Sequence, residues 1–543
     1  MSTSAIPTLQ LFNHGKIFTS SEIIKLTDAE NGNLPKGSFA ESILVRDGKV
    51  IAIGDTKTTE DAARSIEVST IDRINLEGKL VVPGFIDGHA HVTMMGSALD
   101  RIDLINCHSV SDIQHTLKEA YSTTFKNNKP KRILCKNWKQ TSTGESVTAK
   151  DIDSIISDIP VYIEASSLHS SWLNSAALKE LEIEDDTPNP DGGEILRNKE
   201  GKATGVMSEM AHFKIVWPGW ARLKTDKEGE DEVLRALNEY SANGYTGTTD
   251  MAMDEAMLNN IKRLQNRLGG TLPLRISAYW YIFPDPDIEK SLDQVRLAAN
   301  LKQENDDWVR VIGIKVMVDG IVDVCTASLK KPYFDGSQCG PIWPLETLKK
   351  VTSLADQLGL QIAMHAIGDE AVHVAIEAVA ALPGDPSKVD RRTRIEHLEV
   401  TDPEDVARLA PLGITASIQP IHQDPAFLAG YMDKLNNDER CGRMFAYRDM
   451  VEKGAHLAIG TDTPTAEHNP LLNLYSAVVR KSVFDPSRKE AFHPEWALPL
   501  ATCFVAASYG AAYSVKNENQ FGSLRLVKVQ ISQFWISIHS KQE

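Results

Sequence analysis

Residues 83–92 read Pro83-Gly84-Phe85-Ile86-Asp87-Gly88-His89-Ala90-His91-Val92. Side chains two apart on a β-strand point to the same side, so His89 and His91 project together from one strand end, with only the small Ala90 between them. Imidazole is a common metal ligand, and such a pair needs further ligands from elsewhere in the chain to close a site. His-x-His also arises by chance, so the flanking sequence decides what it means.

Upstream, short β-prone runs recur at Leu9–Phe12, Lys16–Phe18, Ser42–Val45, Val50–Ile53, Ile71–Asn75 and Lys79–Val82, with Asp47-Gly48 and Glu77-Gly78 as turns. They predict a small all-β unit, interrupted by a polar surface loop over Ser20–Ser38. Downstream, strands alternate with amphipathic segments, the pattern of a parallel α/β sheet. Eight candidate strands follow in order: Phe85–His91, Tyr245–Asp250, Arg275–Ile282, Val311–Val318, Gln361–Ala366, Thr393–His397, Ile414–Ile418 and His456–Thr461. Glu230–Ala242, Leu292–Gln303, Leu345–Leu358, Asp369–Ala381 and Pro403–Leu409 read as helices between them. The expected class is α/β, a (β/α)₈ TIM-like barrel. Residues from about 110 to 225 are too long for one crossover and contain strand-like Arg132–Cys135 and Val161–Glu164, so they read as an insertion after the first barrel strand. Trp138, Trp172, Trp217 and Trp220 lie there, either lining a substrate pocket or forming the insert's own core.

With 543 residues, 42% of them hydrophobic, the chain can bury a large core. A net charge of -16 disfavours nucleic acid and anionic membranes as partners, leaving a small-molecule substrate. A homo-oligomer is compatible with this composition. No apolar run approaches the roughly 18 residues of a membrane span, and the start lacks a secretory layout, so the cytoplasm is the expected compartment. The six cysteines form no Cys-x-x-Cys pair and read as mostly reduced and buried.

Four further strands carry polar residues in apolar runs. His365 ends Leu360-Gln-Ile-Ala-Met-His, His397 ends Thr393-Arg-Ile-Glu-His, Asp462 ends Leu457-Ala-Ile-Gly-Thr-Asp, and Lys315 interrupts Ile312-Gly-Ile-Lys-Val-Met-Val. Each has a structural alternative, a hydrogen-bonded histidine or a turn-capping aspartate. Barrel active sites gather at strand C-termini, where these residues would converge with His89 and His91. A buried lysine is costly unless neutral, and a neutral amine can add carbon dioxide to become an anionic carbamate that bridges two cations.

This set resembles the metal-dependent amidohydrolase superfamily along nearly the whole chain. Leu168-His-Ser-Ser-Trp-Leu-Asn-Ser-Ala-Ala-Leu178, Thr187-Pro-Asn-Pro-Asp-Gly-Gly193, Gly205-Val-Met-Ser-Glu209, Met364-His-Ala-Ile-Gly-Asp369 and Gly460-Thr-Asp462 are similar to the amidohydrolase family 3 branch, which includes N-substituted formamide deformylases. The resemblance implies one or two divalent cations, zinc foremost. His89, His91 and Asp462 would hold one, His365 and His397 the other, and a carboxylated Lys315 would bridge them. It further implies that Asp462 takes the proton of a metal-activated water and passes it to the leaving nitrogen. His169 and Glu209, with Trp138 and Trp172, are candidate substrate contacts. The implied activity is hydrolysis of non-peptide amide, N-formyl or N-acyl bonds. Its rivals are hydrolysis of cyclic amides, imines or esters on the same centre, and a catalytically impaired binding or scaffold homologue.

The family's usual ending joins the N-terminal strands, which implies a small β-sandwich domain of residues 1–82 with 515–543 beside a barrel domain of 83–514. Here Phe521-Gly-Ser-Leu524 is followed by Arg525-Leu-Val-Lys-Val-Gln-Ile-Ser-Gln-Phe534, without the expected second Gly or Ala-Asp pair. An altered reading frame or exon would give that pattern. Leu526–Ser532 and Phe534–Ile538 are expected to add one or two strands and leave the sandwich short of partners.

Overall fold

The computed structural model describes residues 9–20, 26–66, 70–123, 129–144, 146–526 and 535–536. All eight expected barrel strands form, within three residues of the expected bounds: β1 (Phe85–Ala90), β2 (Tyr245–Met253), β3 (Arg275–Tyr281), β4 (Val309–Met317), β5 (Gln361–Ala366), β6 (Arg394–His397), β7 (Thr415–Ile418) and β8 (His456–Ile459). They lie side by side in chain order and every pairing is parallel. Strands buried on both faces need continuous apolar sequence, and all six residues of β5 are buried. Helices fill the crossovers, and their apolar faces join the strands in one large core. Glu255–Arg267 has no counterpart among the expected helices; Asp254 caps it by accepting the Met257 N–H at 2.8 Å.

Closure between β8 and β1 depends on two glycines. A Cβ at Gly460 would stand 2.3 Å from His89 N and 2.5 Å from His89 Cβ, and one at Gly88 would stand 2.7 Å from the Ile459 carbonyl oxygen. The backbone N–H groups of Thr461 and Asp462 then donate to the His89 carbonyl at 3.2 and 2.7 Å. Buried Asp87 completes the seam by accepting the Thr461 N–H (2.9 Å), the Thr461 hydroxyl (2.6 Å) and the Tyr240 hydroxyl (3.0 Å).

The insertion folds around its own six-stranded sheet, which in spatial order comprises Gly193–Arg197, Ala203–Glu209, Ser170–Leu173, Val161–Ala165, Ile133–Trp138 and Ile102–Asp103. Its edge strand precedes residue 110. Ahead of the barrel, two small sheets share a cluster that includes Phe12, Ile17, Ile43 and Val81. This unit is not all β. Leu26–Glu30 is a short helix inside the expected loop, and Thr56–Arg64 is a nine-residue helix capped by Asp55, with Thr59 and Ala63 turned inward. A helix period of 3.6 gives that segment an apolar stripe which a search for alternating strands overlooks. Trp535–Ile536 pairs antiparallel with Val81–Val82, within the expected Phe534–Ile538 run. The rest of that run, and the expected strand beyond Leu526, lie outside the described residues. Among the described residues no helix is long and apolar enough to cross a membrane.

Gly460→Ala should therefore lower stability by about 1–3 kcal/mol or prevent folding, because the added methyl meets backbone rather than a movable side chain. Urea denaturation followed by circular dichroism checks this; an unchanged midpoint would mean that β1 and β8 separate freely.

Candidate metal centre

The C-terminal ends of five strands bring His89, His91, Lys315, His365, His397 and Asp462 into the wall of one cavity of about 510 Å³. Two of these residues sit on turned backbone, His397 at φ 78° and Asp462 at φ 59°. Left-handed φ is costly for residues other than glycine, and it persists where surrounding packing enforces it.

The tautomers follow from the fixed partners. His89 Nδ1 lies 2.7 Å from Glu396 Oε2 and donates to it, which turns Nε2 toward Asp462. His365 Nε2 is 3.1 Å from the Gly320 carbonyl oxygen, which can only accept, so its lone pair is on Nδ1. Asp462 Oδ1 stands 3.2 Å from His89 Nε2 and 3.0 Å from His91 Nε2, in neither case as an aligned hydrogen bond. Atoms that share one cation at bonds of about 2.0–2.2 Å lie roughly 3.0–3.5 Å apart, so these spacings suit a common ligand. His397 Nδ1 is likewise buried without a partner. His89, His397 and Asp462 each offer an atom within 4.8 Å of the others.

Electrostatics agree with the geometry. Burial would raise the Asp462 carboxyl, but His89 and His91 hold it well below the usual carboxylate range. Burial, with Lys315 beside one and His365 beside the other, keeps His365 and His397 neutral. Burial also pushes the Lys315 amine down to about 8, although Glu396 and Asp462 favour its charge. The neutral imidazoles of His365 and His397 beside an ionised Asp462 are donors that fit a divalent cation.

The insertion supplies the facing wall. Trp138 and Trp217 line the cavity, their Nε1–H groups donating to Thr143 Oγ1 and Glu164 Oε1, each at 3.0 Å. Trp172 corrects the expectation of a substrate contact: it is fully buried in the insert's core, donates to the Thr148 carbonyl at 3.0 Å and does not reach the cavity. All four residues of its strand are covered, so the ring packs against Trp138 instead. Trp220 stands apart as well, 4.2 Å from both Arg101 and Lys224. His169 lines the cavity and Glu209 backs it, with Oε2 at 2.9 Å from Nδ1. Burial alone would lower the pKa of His169, but Glu209 raises it.

The Amidohydrolase family model matches residues 72–527. The chain belongs to this family. The amidohydrolase is 28% identical over 528 residues to Protein LONG AFTER FAR-RED 3 of Arabidopsis thaliana, covering 95% of this chain and 85% of that one. It is 25% identical over 482 residues to the N-substituted formamide deformylase of Arthrobacter pascens, covering 85% and 83% of the two chains. Its fold matches the crystal structure of an uncharacterized metal-dependent hydrolase of Pyrococcus horikoshii OT3 with a TM-score of 0.75, at 23% identity over 97% of each chain.

Sequence reasoning missed the residues that fix this cluster in place. Arg394 and Glu396 are fully buried, and Glu396 joins the guanidinium (2.8 and 3.1 Å) to His89. The signal was present, since two charges in a four-residue strand are as anomalous as Lys315. His422 and Glu399 also line the cavity. His422 Nε2 is 3.7 Å from Asp462 Oδ2, and its Nδ1 is 3.3 Å from Glu399 Oε1. His422 follows β7 as Asp462 follows β8, but an intervening Gln-Pro-Ile hides the register.

Burial would raise the Glu396 carboxyl, yet Arg394 and His89 hold it far below the usual range. A depressed folded pKa contributes stability above the unfolded value, about 4.3, and that stability drains away as pH falls below it. Glu396→Gln should cost about 3–5 kcal/mol at neutral pH by leaving Arg394 unpaired, and should flatten the acid limb of a stability-against-pH curve. Denaturant titrations from pH 3 to 8 check both.

Proposed function

We propose that this amidohydrolase hydrolyses the carbon-nitrogen bond of a linear, non-peptide amide, an N-formyl or N-acyl compound, with a metal-activated water. The observation that carries the reading is ionised Asp462, whose Oδ1 lies within 3.2 Å of two imidazole nitrogens and has no aligned partner of its own. His89, His91 and Asp462 would hold one divalent cation, His365 and His397 a second, and a carbamate on Lys315 would join them. When bound, the cations, zinc foremost, would acidify a water and polarise the scissile carbonyl.

The chain's own groups do the rest. Asp462 accepts the water's proton and returns it to the leaving nitrogen. His422, beside Asp462 Oδ2 and hydrogen-bonded to Glu399, bounds that carboxylate on its other side. His169, held by Glu209, presents a donor to the substrate, and Trp138 packs against its apolar part. Lys315 can form its carbamate because burial lowers the cost of the neutral amine, whose nitrogen attacks carbon dioxide and loses a proton. The similarity to a formamide deformylase supports the N-acyl class. Six free cysteines support a reducing, cytoplasmic setting. The separate clusters of the two small sheets, the insert and the barrel support the division into 1–82 with 515–543, and 83–514 with an insert at about 110–225.

Purified protein should contain one or two divalent ions by inductively coupled plasma mass spectrometry and lose activity on N-formyl and N-acyl amines when chelated. The double variant His89→Ala, His91→Ala should lose at least one ion; full metal content in it would refute the assignment.

Lys315→Arg should be inactive, because a guanidinium neither binds carbon dioxide nor ligates a cation. Lys315→Ala should regain part of its activity in millimolar formate or acetate. Full activity of the arginine variant would remove the carbamate from the mechanism.

A further inference from the structure

Across the His422 ring from Asp462 the cavity changes character. Glu399 is 1% exposed, and while its Oε1 meets His422, its Oε2 is buried with no hydrogen-bond partner. A second carboxylate, Asp323, faces Glu399 and opens onto the cavity. The basic groups facing Asp323 are His422, committed to Glu399, and Lys434, and among the described residues neither lies within ion-pair distance of it. Gly430 keeps the space beside it open, since even a Cβ there would stand 3.4 Å from Asp323 Oδ1. The surrounding wall is apolar, with Ile321, Val324 and Phe427, and Tyr431 turns its hydroxyl toward Glu399. The cavity's Lys139 is directed over the Phe427 ring, 5.8 Å from its centroid.

Two adjacent carboxylates, Asp323 open to the cavity and Glu399 buried behind it, form a receptor for a cation, whose charge offsets their mutual repulsion. We propose that Asp323 and Glu399 form a seat for a protonated amine or guanidinium carried by the substrate, so that the hydrolysed bond belongs to an amide with a cationic nitrogen on an apolar body. This rests on the hydrolase reading above and narrows its substrate class. The neighbouring Glu399 charge raises the Asp323 carboxyl, and an arriving cation would draw it back to the ionised form.

Two isosteric substrates test the seat in the metal-loaded protein: N-formyl-4-(aminomethyl)benzylamine, which is cationic, and N-formyl-4-ethylbenzylamine, which is neutral. The wild-type protein should favour the cationic one by about tenfold or more in kcat/KM, mainly through KM, the ratio that one charge-assisted contact supplies. Asp323→Asn should bring the ratio close to one. Calorimetric binding of benzylamine against benzyl alcohol, in wild type and variant, reads the same preference without turnover. Equal handling of each pair by the wild-type protein, or a preference that survives Asp323→Asn, overturns the seat and leaves the hydrolase reading standing. If neither formamide is hydrolysed, that reading loses its N-formyl class, while the benzylamine measurement still decides the seat. A divalent ion lost on Glu399→Gln, with the preference unchanged, would make Glu399 a metal ligand and also overturn the proposal.

Discussion

Glu396 carries its charge inside the barrel with no access to water, and the arrangement that makes this tolerable positions the whole centre. An isolated buried carboxylate would cost several kcal/mol in desolvation, so it persists only where fixed donors replace the lost water. Arg394 supplies two of them, and His89 Nδ1 supplies a third. The guanidinium is then satisfied from four directions, reaching the Gly88 carbonyl on β1, the Ser417 hydroxyl on β7 and the Ser514 hydroxyl near the C-terminal end of the described chain. One ion pair on β6 therefore ties together segments more than 400 residues apart in sequence. Its removal would loosen the His89 ring and the strands around it together.

The same economy governs the backbone at the cavity rim. His397, Leu398 and Asp462 sit at positive φ, and so do Leu168 and Glu209 in the insert. Each costs of order 1–3 kcal/mol of local strain, which the packed barrel and insert can sustain where an exposed loop could not. The strain aims side chains that an extended strand end would point elsewhere. Side chains aimed in this way by the packed backbone are positioned without help from a bound group, and preorganisation of that kind is what a hydrolytic centre requires.

The insert and the barrel contribute unlike halves to the cavity. From the barrel come titratable groups with fixed tautomers, while the insert adds indole and imidazole side chains secured by its own network. In that network buried Glu164 pairs with Arg101 and accepts from Trp217. Variation in the insert can thus alter what the cavity accepts without disturbing the charges beneath it, a division of labour general to barrel enzymes.

Much of this was legible in the sequence, because a strand buried on both faces must be apolar and any exception stands out. That rule located all eight barrel strands, and the exceptions His89, His91, Lys315, His365, His397 and Asp462 were the residues that converge. The rule failed where the informative quantity was a partner rather than a position. Trp138 and Trp172 look alike in sequence, yet only Trp138 reaches the cavity, because the packing of the insert's sheet decides which indole has an uncovered edge. Glu396 and His422 acquire their roles from His89 and Asp462, which approach only when β1 and β8 meet across the glycine seam. Sequence alone determined which side chains could not be ordinary core; tertiary structure decided which of them face one another, since the distances between strand ends are set by barrel closure and by no local propensity.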